Sequence, residues 1–211
     1  MTTYPISLPT DATAQPINTT FRIRRVVGRS QSPFTGAQQV YRHQGEWWEC
    51  EVSLPPMTQE TAKKWVSTLV SLTGVFGQLY LGDWDARTAN ASASTNAGTP
   101  LVNGVSKTGN TLSIDGAPNN ATNYLKAGDY IQIGSGIDQR LHMVVADASS
   151  NGSGQIDLSI EPALRTSPAD NTAITVANTK GVFRLASNET NWDANAISVY
   201  GISFAVVEYL R

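Results

Sequence analysis

The stretch HQGEWWECEVSLPPMT (residues 43–58) gathers His43, Glu46, Glu49, Glu51 and Cys50, the only cysteine in the chain. Imidazole, thiolate and carboxylate are the donors of a transition-metal site, and a Cys/His pair is the start of a nucleophilic centre. A zinc site, however, takes a second His or Cys at fixed spacing, and the sequence contains no CxxC, HxH or HExxH pattern. The other histidine, His142, lies far along the chain. There is no GxSxG elbow for a serine nucleophile. The glycine loops GRSQSPFTG and GSGIDQRLH lack a P-loop lysine and a Rossmann context. Asp83 and Asp85 in LGDWDAR flank a tryptophan, as paired carboxylates do in sugar clefts, but Asp beside Gly is also ordinary turn chemistry. No constellation points to catalysis, a metal or a cofactor.

Alternation accounts for the stretch better. In an extended strand, successive side chains leave on opposite faces. Trp48, Cys50, Val52 and Leu54 then share one face, and Trp47, Glu49, Glu51 and Ser53 the other. Cys50 reads as a small buried hydrophobe, with Glu49 and Glu51 turned away from it. The face bearing Trp47 between Glu49 and Glu51 is a candidate subunit contact. The strand belongs to a hairpin, QQVYRHQGEWWECEVSL, expected to turn near Gln44-Gly45 and to end at Pro55-Pro56.

One helix follows. Thr58 is read as its N-cap, with Glu60 in the first turn favouring the helix dipole. Ala62, Trp65, Val66, Leu69 and Val70 form one apolar stripe, and Gly74 is the stop. In TFRIRRVVG, Phe21, Ile23 and Val26 are expected on one face and arginines on the other. Gly77 and Gly82 in GVFGQLYLGD suggest a bulge or a sharp exit.

RTANASASTNAGTP (87–100) is a low-complexity stretch of small polar residues and reads as a linker. Beyond it, NTLSIDG, GDYIQIG, RLHMVVAD, GQIDLSIEP and TAITVAN are short strands separated by turn chemistry, the rhythm of a small barrel or sandwich. Near the end Ile202, Phe204 and Val206 alternate with Ser203, Ala205 and Val207. Both faces are largely apolar, which predicts a strand buried on both sides, in a sheet interior or a subunit contact. Such a strand needs partners, and the middle strands have their own. The sequence therefore predicts a mainly β fold with one packed α-helix (α+β). Residues 1–88 and 181–211 form one domain and residues 89–180 an inserted β domain.

Bulk properties narrow the class. Among 211 residues, 15 Lys plus Arg oppose 17 Asp plus Glu, and the one basic run, RIRR, is too short for a nucleic-acid grip. No secretory leader is expected in MTTYPISLPT, nor a membrane-spanning run. A single cysteine needs no oxidising compartment, so assembly in a cytoplasm is the simple expectation. Charged residues make up 15% of the chain, which suits surfaces buried against neighbours.

SPFTG with WWECEVSLPPM, the single helix, GDYIQIG and GVFRLASN together resemble the minor and distal tail proteins of long-tailed (siphovirus-type) bacteriophages. The resemblance spans most of the chain and carries no catalytic motif. It implies a belt-type β-sandwich or barrel domain that rings the tail axis, here split by the inserted small β-barrel. The implied role is a structural virion protein of the tail tip or baseplate hub, not an enzyme. Its implied partners are itself, as a homo-hexamer, the tail tube protein, the hub protein and the tape measure protein. The candidate subunit contact then comprises Trp47, Glu49, Glu51, Ile202, Phe204 and Val206. An accessory receptor- or carbohydrate-binding module of a tail is the alternative.

Overall fold

The structure, a computed structural model, describes residues 3–9, 16, 18–194 and 199–211. Parts of the stretches read for a leader (Met1, Thr2, Thr10) and for the domain of residues 1–88 and 181–211 (residues 11–15, 17 and 195–198) lie outside them. Fourteen strands are described: β1 Ile6–Ser7, β2 Asn18–Gln31, β3 Gln38–Ser53, β4 Met57–Thr58, β5 Leu79–Leu81, β6 Leu101–Val102, β7 Gly109–Asp115, β8 Tyr130–Ile133, β9 Arg140–Val144, β10 Ile156–Leu164, β11 Ile174–Thr175, β12 Gly181–Leu185, β13 Trp192–Ala194 and β14 Val199–Glu208. One α-helix, α1, spans Gln59–Ser71. The fold is mainly β with a single packed helix.

The strands form two sheets. The first runs β1-β5-β12-β14-β3-β2, with β4 and β13 also on β14, so it draws on both ends of the sequence. The second runs β11-β8-β9-β10-β7-β6 and comes entirely from the middle. Its two outer strands meet: the Val102 amide donates to Thr172 O (2.9 Å) and the Ile174 amide to Pro100 O (3.0 Å), which closes a small barrel. Closure leaves no long open edge.

Each sheet has its own core. Val102, Leu112, Ile114, Tyr124, Ile131, Val144, Leu158 and Ile160 fill the barrel. Trp48, Cys50, Val52, Leu79, Phe183, Ile202 and Val206 line the first sheet beneath α1. Tyr130 and Leu141 of the barrel also pack into the first core, so the two bodies share a seam. At that seam Phe21 stands edge-on to Trp48 (6.0 Å, 82°), and Tyr130 lies 5.8 Å from Trp48. The chain enters the barrel through Gly82. A Cβ there would lie 1.9 Å from Thr179 O, so only glycine lets the outgoing and returning segments approach this closely.

Several sequence expectations are corrected. β3 continues straight through Gln44-Gly45, and the hairpin turns instead at residues 32–37, where the Gly36 amide donates to Ser32 O. Gly45 belongs to a bulge opposite Val26, since the pairing jumps from Arg25↔Glu46 to Val27↔Arg42. Val26 and Val70 are exposed at 42% and 51%; the α1 stripe keeps Ala62, Trp65 and Leu69 buried, with Val66 packed at its margin. Thr58 sits in extended conformation before α1 but makes no side-chain cap. The 87–100 stretch is no free linker. Ala89 and Ala93 are buried in the barrel core, and the Ser92 and Ala93 amides donate to Asn123 O and Tyr124 O. Small alanines need little room, which let a polar-looking run carry core contacts.

β14 is one-sided. Ile202 and Val206 are buried and Phe204 is packed against the same core, while Ser203 and Ala205 are exposed. Ile202 and Val206 therefore leave the candidate contact face, because the core of their own chain already covers them.

Candidate functional site

The long β2–β3 ribbon positions most of the residues singled out from sequence. Its pairing runs without interruption from Asn18↔Ser53 to Arg25↔Glu46, then resumes beyond the bulge to Gln31↔Gln38. The inner half is built into the molecule: β14 pairs with β3 from Ser53 to Glu49. The outer half, residues 26–43, pairs only with itself. Val26, Val27, Phe34 (95% exposed), Val40 and Tyr41 all stand in solvent there. Two-stranded ribbons are marginal in water, and here apolar side chains stand on both faces, Val27 and Val40 on one and Tyr41 on the other, with Phe34 at the turn. β2 is also an edge strand, with fourteen residues of backbone open on its outer side.

On the inner half the alternation expected from sequence is observed. Trp48, Cys50, Val52 and Leu54 are buried, and Glu51 is exposed. Burial pushes the Cys50 thiol up to about 12, with the Asp83 charge adding to the effect, so it is an unreactive core residue. Trp47 Nε1 donates to Glu49 Oε1 (3.1 Å). Arg22 pairs with Glu49 (3.6 Å) and with Glu51, and Arg24 lies 3.9 Å from Glu49. These are cross-strand pairs of exposed arginines with half-buried Glu49 and exposed Glu51, worth about 0–1 kcal/mol each. The face is a tryptophan within a balanced ionic lattice. His43 is exposed on the arm, seven positions from buried Cys50 on the same strand, so the two do not form a pair. Among the described residues no three of His, Cys, Asp and Glu come together as a metal site.

The cluster that sequence reasoning missed is at the bulge, where ribbon and barrel meet. Glu46 is buried at 2% exposure on the Trp48 face. Arg42 donates to its Oε1 through Nε (2.8 Å) and Nη2 (2.5 Å), and the Ala163 amide of β10 donates to Oε2 (3.3 Å). Burial alone would raise its pKa. The Arg42 bonds, contact with the Glu161 carboxyl and the Ala163 amide outweigh that and hold it below the ordinary carboxylate range. Glu161 of β10 in turn lies 3.5 Å from both Arg25 and Arg42. Beside this, Arg165 donates to Glu46 O and to the buried Glu208, whose other oxygen accepts from the Trp48 amide (3.0 Å). Burial raises the Glu208 carboxyl although Arg165 opposes it. A sequence signal did exist: Glu46 shares the parity of Trp48 and Cys50, and Glu208 that of Ile202 and Val206. A charge in register with a core face requires a partner.

The remaining candidates are structural. Asp83 Oδ1 accepts from the Asp85 amide (3.0 Å), an Asx turn. Tyr124 is fully buried with its hydroxyl on Ala97 O (2.6 Å), and Tyr130 packs on Trp48, so neither offers a ring to a sugar. No described helix is long and apolar enough to cross a membrane. No family model matches the chain, and no curated protein matches it.

Proposed function

We propose that the chain is a structural subunit of a bacteriophage tail, repeated around the tail axis as a ring at the tail tip and acting by assembly rather than catalysis. The observation that carries the reading is the β2–β3 arm. Its outer half is ordered as a ribbon, shows Val26, Val27, Phe34, Val40 and Tyr41 to solvent, and lies beside an open β2 edge. An arm of this kind fits a heterologous contact, in which each copy reaches onto the next and the rotation closes a ring. Pairing of the β2 edge with a neighbouring strand would add backbone hydrogen bonds to the apolar contact. The family resemblance of the sequence supplies the setting: a homo-hexamer joined to tube, hub and tape measure proteins in the virion.

Light scattering on the eluting protein and negative-stain microscopy test this. The expected result is a closed ring for the wild type and a folded monomer for the double variant Phe34→Asp, Val40→Asp. A strictly monomeric wild type at high concentration that never joins purified tail tubes overturns it.

A further inference from the structure

The first sheet has a gap beside β14. β12 stays in register with β14 as far as Leu185↔Val206, and β13 takes over at Trp192↔Ile202. The 186–191 segment loops past the residues between, where Ser203, Phe204 and Ala205 border a hollow of about 200 Å³. Buried Leu69 and Leu185 line its floor, half-buried Phe204 and exposed Ala205 are its open apolar part, and Glu189 is its one charged lining residue. Glu189 is exposed and forms no ion pair among the described residues. Trp192, next to the rim, is 46% exposed. A neighbouring hollow shares Ser203, Phe204 and Ala205, and its one charged side chain is again a carboxylate, Glu51.

The arm has the complementary shape and charge. Phe34 at its turn is the most exposed large apolar side chain among the described residues. Residues 26–43 carry Arg29, Arg42 and His43 and no carboxylate. The arm cannot reach the hollow of its own chain. β3 runs sixteen residues from Gln38, beside the turn, to Ser53, which pairs with Ser203 at the hollow. At about 3.3 Å per residue the tip stands on the order of 50 Å away. Other cavities suit the arm less. The cleft between barrel and C-terminus is lined by Arg140, Arg165 and Arg211, which repel a basic arm. The barrel hollow is walled by Asn103, Asn151 and Gln155 beside Lys107, polar groups that a phenyl ring would cut off from water.

We infer that Phe34 of one copy inserts into this hollow of the next copy, against Phe204 and Ala205, with the positive charge of the arm over Glu189. An aromatic anchor seated in a pocket with a polar rim is where the energy of a protein contact concentrates. Knob and hollow are different surfaces of one chain, so the contact is heterologous and its repetition closes a ring. The inference rests on the ring reading and names the surface that receives the arm.

Chemical crosslinking tests this, with exposed Thr35 beside the knob and exposed Asn191 on the rim as the sites. The double variant Thr35→Cys, Asn191→Cys, treated with a short bismaleimide, should give a ladder of covalent multimers on a denaturing gel, absent from either single variant. Cys50, buried with its thiol pushed up to about 12, stays out of the reaction. Glu189→Lys should raise the concentration needed for ring formation about tenfold, with an unchanged melting curve of the monomer. Asp157→Lys, the same change of charge on the exposed barrel surface, should leave ring formation as it is. Rings without the ladder, or rings that Glu189→Lys disturbs no more than Asp157→Lys does, overturn the docking and leave the ring reading standing. A ladder from Thr35→Cys alone marks a tip-to-tip contact and also overturns it, as does a crosslink to the tube protein in place of a second copy when purified tail tubes are present. A wild type that stays monomeric overturns both readings.

Discussion

The two halves of the β2–β3 ribbon share strands, pairing and composition, yet one half is a keystone and the other an arm. The inner half has β14 along one side and barrel residues against its face. Trp48 alone donates from Nε1 to Leu141 O (2.9 Å), from its amide to Glu208, and packs on Phe21 and Tyr130. Of this the outer half has only the contact of Arg42, beside the bulge, with Glu161 of β10. The division falls at the bulge, where one residue of β2 faces three of β3 and Glu46 is clamped by arginines. Pairing therefore specifies the ribbon's shape, while only the inner half adds to the stability of the body.

The comparison breaks first at Trp48. Trp48→Ala should cost about 3–5 kcal/mol in urea unfolding, because the seam cannot collapse around a lost indole. A loss under about 1 kcal/mol would mean that the inner half is no keystone. The next effect is set by pH in the floor under that half. The unfolded His142 takes a proton as pH falls below 6.5, whereas the folded one resists until about 4. Stability should therefore fall across that window by up to about 3 kcal/mol. Glu46 acts in the same direction: held low in the fold, its contribution is full above the unfolded carboxyl value and is lost as pH drops through the folded one. Glu208, raised in the fold, partly opposes both. Thermal melts from pH 7 to 4 should show the decline, flattened in His142→Phe; an unchanged slope in that variant assigns the pH dependence elsewhere.

Glu46→Gln should cost about 1–3 kcal/mol, since the Arg42 and Ala163 donors lose a charged acceptor. Glu51→Gln on the exposed face should stay within about 0.5 kcal/mol. Equal effects would erase the distinction between clamp and surface. The smallest changes in stability belong to the arm. Phe34→Ser should leave the urea midpoint within about 0.5 kcal/mol of wild type yet reduce ring formation. Trp47→Ala, at the junction, should weaken assembly more than fold.

Much of this division was legible in the sequence. The alternation from Trp47 to Leu54 gave the faces of β3 correctly, and the middle strands were found at their places, because period-two burial is a local property. The turn was missed for a local reason too: Gln44-Gly45 has turn chemistry, but its glycine serves a bulge, and Ser32 to Gly36 makes the turn. Ile202 and Val206 were assigned to a contact because Val207 and Ala205 made both faces of β14 look apolar. The ionic seam was out of reach for another reason. Arg165 lies 119 residues from Glu46, and Glu208 lies 160 from Trp48. No spacing rule connects such pairs; only the parity of a lone charge on an apolar face hints at them.

The position of β14 in its sheet has a consequence for biogenesis. It lies between β12 and β3, and β4 and β13 also hang on it. Every strand of the barrel leaves the ribosome before β14 does, so the barrel can complete its own pairing while Trp48, Cys50 and Val52 still wait beside an open edge. The early hairpin is then a nascent element in need of shelter, and the late strand is the latch that retires it. Arrival of Glu208 at the Trp48 amide closes that latch, joining two bodies that were made at different times.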